Sequence, residues 1–113
     1  MSNFFSRHEF ECRCGCGFDA MDIELVGALE MVRMHFCRPV VISSGCRCAA
    51  HNAKVGGKPS SQHVFGKAAD FSVVGVSSKE VQAFLISMCH GKYGIGVYEH
   101  FTHLDVRREC ARW

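Results

Sequence analysis

From His103 to Arg107, in the segment FTHLDVR, polar and apolar side chains alternate without a break. On a β-strand successive side chains point to opposite faces. Thr102, Leu104 and Val106 therefore share one face, and His103, Asp105 and Arg107 share the other. The apolar set faces a core, and His103 faces a cleft or solvent. A strand of this kind must find a packed layer for one side while keeping the other open.

The rest of the chain supplies that layer. Asp19 is placed to cap a helix over AMDIELVGALEMVRMHF, with Leu25, Val26, Leu29, Val32 and Phe36 on one stripe. Pro39 ends it and opens a strand, PVVISSG, whose Val40-Val41-Ile42 run predicts burial on both faces. CAAHNAKV reads as a short helix closed by Gly56-Gly57, and a polar loop, KPSSQ, follows it. AADFSVVGV reads as a second strand. Ser77 and Glu80 form a capping box for a further helix with Val81, Phe84, Leu85 and Met88 on its core side, ended by Gly91. YGIGVYE and FTHLDVR are the last two strands. The order is helix, strand, short helix, strand, helix, strand, strand. It predicts an α+β fold with helices packed on a small, mostly antiparallel sheet. With 113 residues, one domain spans 1–113.

Bulk chemistry excludes some functions. A formal charge of +2 and the lack of any Lys/Arg run argue against a nucleic-acid partner. No segment approaches the roughly 20 apolar residues of a membrane span. MSNFFSRHEFEC lacks the apolar stretch of a signal peptide, so the expected location is the cytoplasm, with any action outside depending on release by another component. Under that expectation the eight cysteines are read as thiols or metal ligands rather than a disulfide framework. Cys12, Cys14 and Cys16 would share one face of an extended segment, although C-x2-C is the commoner zinc spacing. Cys37, Cys89 and Cys110 read as small buried thiols.

His63 and Asp70, in SQHVFGKAAD, are ligand types suited to zinc, and His103 supplies a third. Two strands can present Asp70 and His103 side by side, and a tight loop through Gly66 can return His63 to them. Three protein ligands leave a position for water, the pattern of a catalytic site that activates water and polarises a carbonyl.

SGCRCAAHNAKVGGKPSSQHVFGKAADFSV, followed by GIGVYEHFTHLDVR, resembles the zinc D-Ala-D-Ala carboxypeptidases of peptidase family M15, in particular its small phage and prophage branch. Three ordered motifs carry the resemblance: S-G-x-R, S-x-H-x6-D and a terminal H-x-D strand. It implies the fold of the hedgehog signalling domain and the DD-peptidases, an α+β sandwich. It also implies one zinc per chain, held by His63, Asp70 and His103. Arg47 falls on the family's substrate-binding arginine, where a planar cation suits a carboxylate or an oxyanion. The family's acid/base position, just before the last zinc histidine, is occupied here by His100 in HFTH, beside Glu99. Histidine is a competent base near neutral pH. On a regular strand, however, Glu99 shares the face of His103, and His100 needs a bulge or turn to reach it.

Weaker candidates surround these. Gln62 can donate to a bound carbonyl or cap the loop, and Asp105 can orient a zinc histidine or be a surface charge. His51 can line the cleft or lie on a helix surface. Trp113 can anchor the chain's end or shield the cleft. His8, His35 and His90 read as structural. The implied activity is hydrolysis of stem-peptide or cross-link amides in peptidoglycan by a monomeric phage or prophage endolysin. Two alternatives stand beside it: a non-catalytic zinc-binding virion or structural protein of the same fold, and a cysteine-based redox or metal-storage protein.

Overall fold

A computed structural model describes residues 5–89 and 91–113. The elements are helix α1 (Arg7–Phe10), α2 (Ile23–Phe36), strand β1 (Val40–Ser44), α3 (Ala49–Lys54), a 3-10 turn (Gln62–Phe65), β2 (Ala68–Val73), α4 (Ser78–Cys89), β3 (Gly94–Val97), β4 (Thr102–Asp105) and β5 (Ala111–Arg112). The strands form one sheet in the order β1-β2-β4-β3-β5. It is antiparallel except where β5 joins β3 in parallel. The fold is α+β, as the order of elements predicts.

One face of the sheet carries the core. Leu25, Val26, Leu29 and Val32 of α2 and Val81 and Leu85 of α4 pack with Phe71, Ile95 and Leu104 from the strands. All of these side chains are buried. Leu104 sits between Ala69 and Ile95 in the strand register, so the apolar set of β4 meets its own kind on both sides. At the start of α4, the Glu80 N–H donates to Ser77 Oγ, 3.2 Å away.

Four readings change. The cap of α2 is Asp22, whose carboxylate accepts from the Glu24 N–H at 2.8 Å. Asp19 lies outside the helix, with Arg7 3.7 Å away. β1 is buried on one face only: Val40 and Ile42 are buried, whereas Val41 is half exposed, because β1 is an edge strand. Residues 12–16 are a turn rather than an extended segment. Of the three thiols read as buried, only Cys89 is; Cys37 and Cys110 are exposed. His8 is an exposed partner of Glu11, His35 stacks on Phe84, and His90 lies outside the described residues.

Candidate metal centre

Register builds the site. Asp70 on β2 lies opposite His103 on β4, and Gly96 on β3 lies opposite His103 from the other side. Paired residues of an antiparallel ladder point to the same face, so Asp70, His103, Asp105, Gly94 and Gly96 share the face away from the core. His63 arrives from the 3-10 turn. Ser61 Oγ accepts from the His63 N–H at 3.3 Å, and Gly66 closes the turn at φ 70°. Gly66 also abuts the Ala20 carbonyl, where a Cβ would not fit. Ala68 and Ala69 follow, both fully buried, and bring the chain to Asp70 with little bulk.

Asp70 Oδ1 is 2.9 Å from His103 Nδ1 and 3.3 Å from His63 Nε2. All three residues are buried. Each far ring nitrogen is committed elsewhere. His63 Nδ1 lies 2.7 Å from the Gly45 carbonyl, and His103 Nε2 lies 2.8 Å from Asp105 Oδ2. Both partners only accept, so those nitrogens donate, and in the neutral rings that metal binding requires His63 Nε2 and His103 Nδ1 carry the lone pairs facing Asp70. A tetrahedral zinc ion bound at about 2.0–2.1 Å sets its donors about 3.3 Å apart, and the observed spacing fits.

Charges outside the triad hold it. Asp105 is fully buried and takes Arg107 as a two-pronged partner, Nε to Oδ1 at 2.7 Å and Nη2 to Oδ2 at 2.7 Å. Arg47 donates from Nη2 to Asp70 Oδ2 at 3.4 Å and from Nε to Ser44 Oγ at 3.2 Å. Burial pushes the Asp70 carboxyl up, but its bonds to His103 and His63 outweigh that and hold it well below the usual carboxylate range. Asp105 is likewise raised by burial and lowered further by His103 and Arg107. Burial lowers His103, yet the bonds to Asp105 and Asp70 carry it above the ordinary histidine value.

The triad forms the floor of a cleft of about 870 Å³. Arg47 and Gln62 line it, and so do Lys58, Tyr98, Phe101, Arg107 and Trp113. Trp113 both anchors and shields. Its backbone bonds to Ile95 and Val97, and its ring lies 5.1 Å from that of His103. Its Nε1–H donates to the Tyr98 hydroxyl at 2.8 Å. Glu99 and His100 occupy the β3–β4 connection, 3.9 Å from each other, each with 87% of its side chain exposed. Neither lines the cleft, and neither does His51. The GIG segment of β3 also shapes the site. A Cβ at Gly94 would come 2.5 Å from Asp105 Oδ2, and one at Gly96 2.5 Å from Trp113 Nε1. Two glycines on the ligand face of a strand are the signal that something large packs there.

The Peptidase M15 family model matches residues 3–105, nearly the whole chain and every residue of the triad. The chain belongs to the peptidase M15 family. No curated relative matches it. M15 members are zinc-dependent peptidases, and His63, Asp70 and His103 form a group among the described residues that could hold a metal ion. No helix among the described residues is long and apolar enough to cross a membrane.

Proposed function

We propose that the protein is a zinc-dependent peptidoglycan peptidase that hydrolyses stem-peptide or cross-link amides, acting as a monomeric phage or prophage endolysin. The observation that carries this reading is the convergence of His63, Asp70 and His103 on the floor of a cleft flanked by Arg47, Lys58 and Arg107. Zinc bound there supplies Lewis acidity toward an amide carbonyl and lowers the pKa of a water to about 7.

The chain's own residues do the rest. Arg47 is fixed by Ser44, Asn52 and Asp70, so its guanidinium meets a substrate carboxylate or oxyanion without reorganising. Gln62, at the cleft wall, offers its amide to a peptide carbonyl. Tyr98 and Phe101 stack with ring centroids 4.4 Å apart and support the hairpin tip that bears Glu99 and His100. His100, or Glu99 beside it, takes the proton of the attacking water and returns it to the leaving amine as the tip folds over bound peptide. In this setting the enzyme stays in the host cytoplasm until a separate pore releases it to the wall.

One observation favours the non-catalytic alternative. Among the described residues, no carboxylate or imidazole other than the triad lines the cleft. Mass spectrometry of muropeptides after digestion decides between them. The enzyme releases new amino groups, chelator abolishes the release, and His100→Ala or Glu99→Ala identifies the base. Zinc-loaded protein that leaves muropeptides intact would overturn the peptidase reading.

A further inference from the structure

A second set of ligand atoms converges at Cys48, the residue that follows Arg47 in the chain. Cys12, Cys14, Cys16 and Cys48 place their sulfurs within 4.8 Å of one another. Cys12 and Cys14 are 3.5 Å apart, and Cys14 and Cys48 are 3.6 Å apart. A tetrahedral zinc ion with Zn–S bonds of about 2.3 Å sets its sulfurs about 3.8 Å apart, whereas bonded disulfide sulfurs lie about 2.05 Å apart. The spacing is that of a ligand cage.

The local backbone explains how alternating cysteines reach one point. The Gly15 N–H donates to the Cys12 carbonyl at 3.2 Å. Gly15 and Gly17 have φ of 84° and 90°, values that glycine adopts without steric cost. The segment therefore curls, and Cys14 and Cys16 come round toward Cys12. The sulfurs also receive backbone donors, the outer contacts that orient thiolate ligands. The Cys48 N–H points to Cys12 Sγ at 3.4 Å, and the His51 N–H to Cys48 Sγ at 3.4 Å.

We propose that Cys12, Cys14, Cys16 and Cys48 bind a second zinc ion in a closed tetrathiolate site of structural role. Each thiol loses its proton to solvent as it ligates. Four protein ligands leave no position for water, so the site does not itself hydrolyse anything. It fastens the segment around α1 to the loop of residues 45–48. That loop supplies the Gly45 carbonyl to His63 and the Arg47 guanidinium to Asp70. The two segments already touch: the Cys46 N–H donates to the Phe10 carbonyl at 2.8 Å, and a Cβ at Gly45 would come 2.8 Å from Phe10 Cα. The single zinc expected from the family resemblance accounts for the His/Asp/His centre alone.

Metal analysis of protein purified under reducing, zinc-replete conditions tests this. Wild type should hold two zinc ions per chain, His63→Ala one, Cys14→Ser and Cys16→Ser one each, and Cys37→Ser two. Because a cysteine variant can misfold, cobalt substitution of the His63→Ala chain gives a second readout. It should show the intense near-ultraviolet thiolate-to-cobalt charge-transfer band. A single zinc in saturated wild type that is lost in His63→Ala, a cobalt-loaded His63→Ala chain without that band, or a Cys14–Cys48 disulfide in peptide maps of fresh protein would each overturn the proposal. Loss of peptidase activity with both ions bound would count against the enzyme reading alone.

Discussion

His103 Nε2 donates to Asp105 Oδ2 across 2.8 Å, and this contact fixes which nitrogen of His103 faces the metal position. Arg107 in turn fixes Asp105, so a fully buried carboxylate keeps its charge and its orientation. Partners of this kind set ligand tautomer and basicity, and their loss lowers metal affinity by about 10–100-fold. Asp105→Asn should therefore weaken zinc binding at the His/Asp/His centre by about that factor. Titration against a chromophoric chelator measures it, with Cys14→Ser as background to silence the thiolate cluster. An unchanged affinity would show that Asp105 is only a strand charge.

The glycines of β3 make a steric prediction. Gly94→Ala places a methyl group against Asp105 and Arg107, and neither side chain can yield without breaking their shared bonds. Overpacking of this kind costs about 1–3 kcal/mol, and zinc affinity should fall with it. Gly27→Ala is the control. Gly27 lies inside α2 with nothing within 4 Å of a Cβ, so alanine should stabilise the helix by about 0.5–1 kcal/mol. Thermal unfolding of both variants should give shifts of opposite sign.

These residues show what a sequence discloses and what it withholds. The triad was legible chiefly from the ordered S-x-H-x6-D and H-x-D motifs of the family resemblance, while period-two alternation gave only the face on which His103 lies. The core side of α2 was legible from its stripe. Its start was not, since Asp19 and Asp22 both suit a cap and only tertiary packing chooses between them. Val41 reads like Val40 and Ile42, and its exposure follows from the edge position of β1, which is a property of sheet order. β5 is two residues long, too short for any pattern. The strand-face argument for Glu99 and His100 fails because β3 ends at Val97 and β4 starts at Thr102, so both residues lie in a connection that has no period.

Thiol chemistry separates the cysteines. Burial pushes the Cys46 thiol up to about 11, and Asp19, Cys12 and Cys16 add to the shift. Its sulfur also lies against Met21 Sδ at 3.2 Å. Only the thiolate alkylates readily, so Cys46 stays protonated and unreactive at pH 8 in the folded chain. With zinc bound by the thiolate cluster that includes the exposed Cys14 and Cys16, Cys37 and Cys110, both exposed, should label first. Timed iodoacetamide labelling with peptide mapping checks the order, and labelling of Cys46 at the rate of Cys37 would contradict it.

The buried acids give the metal-free protein a defined pH window. Asp70 and Asp105 titrate lower in the folded chain than in the unfolded one. Their contribution is therefore present above the unfolded value of about 3.9 and is lost as pH falls toward the folded values. His103 titrates higher when folded, so its contribution is complete below about pH 6.5 and is lost as pH rises through its folded value. Chelator-treated protein should thus be most stable between about pH 4 and 6.5. Urea midpoints across pH 3–9 test this, and Asp105→Asn should flatten the acid limb and shrink the alkaline one. Zinc requires neutral His103, so loaded protein should lose the alkaline decline. A metal-free midpoint that climbs steadily from pH 5 to 8 would contradict the pairing of His103 with its two carboxylates.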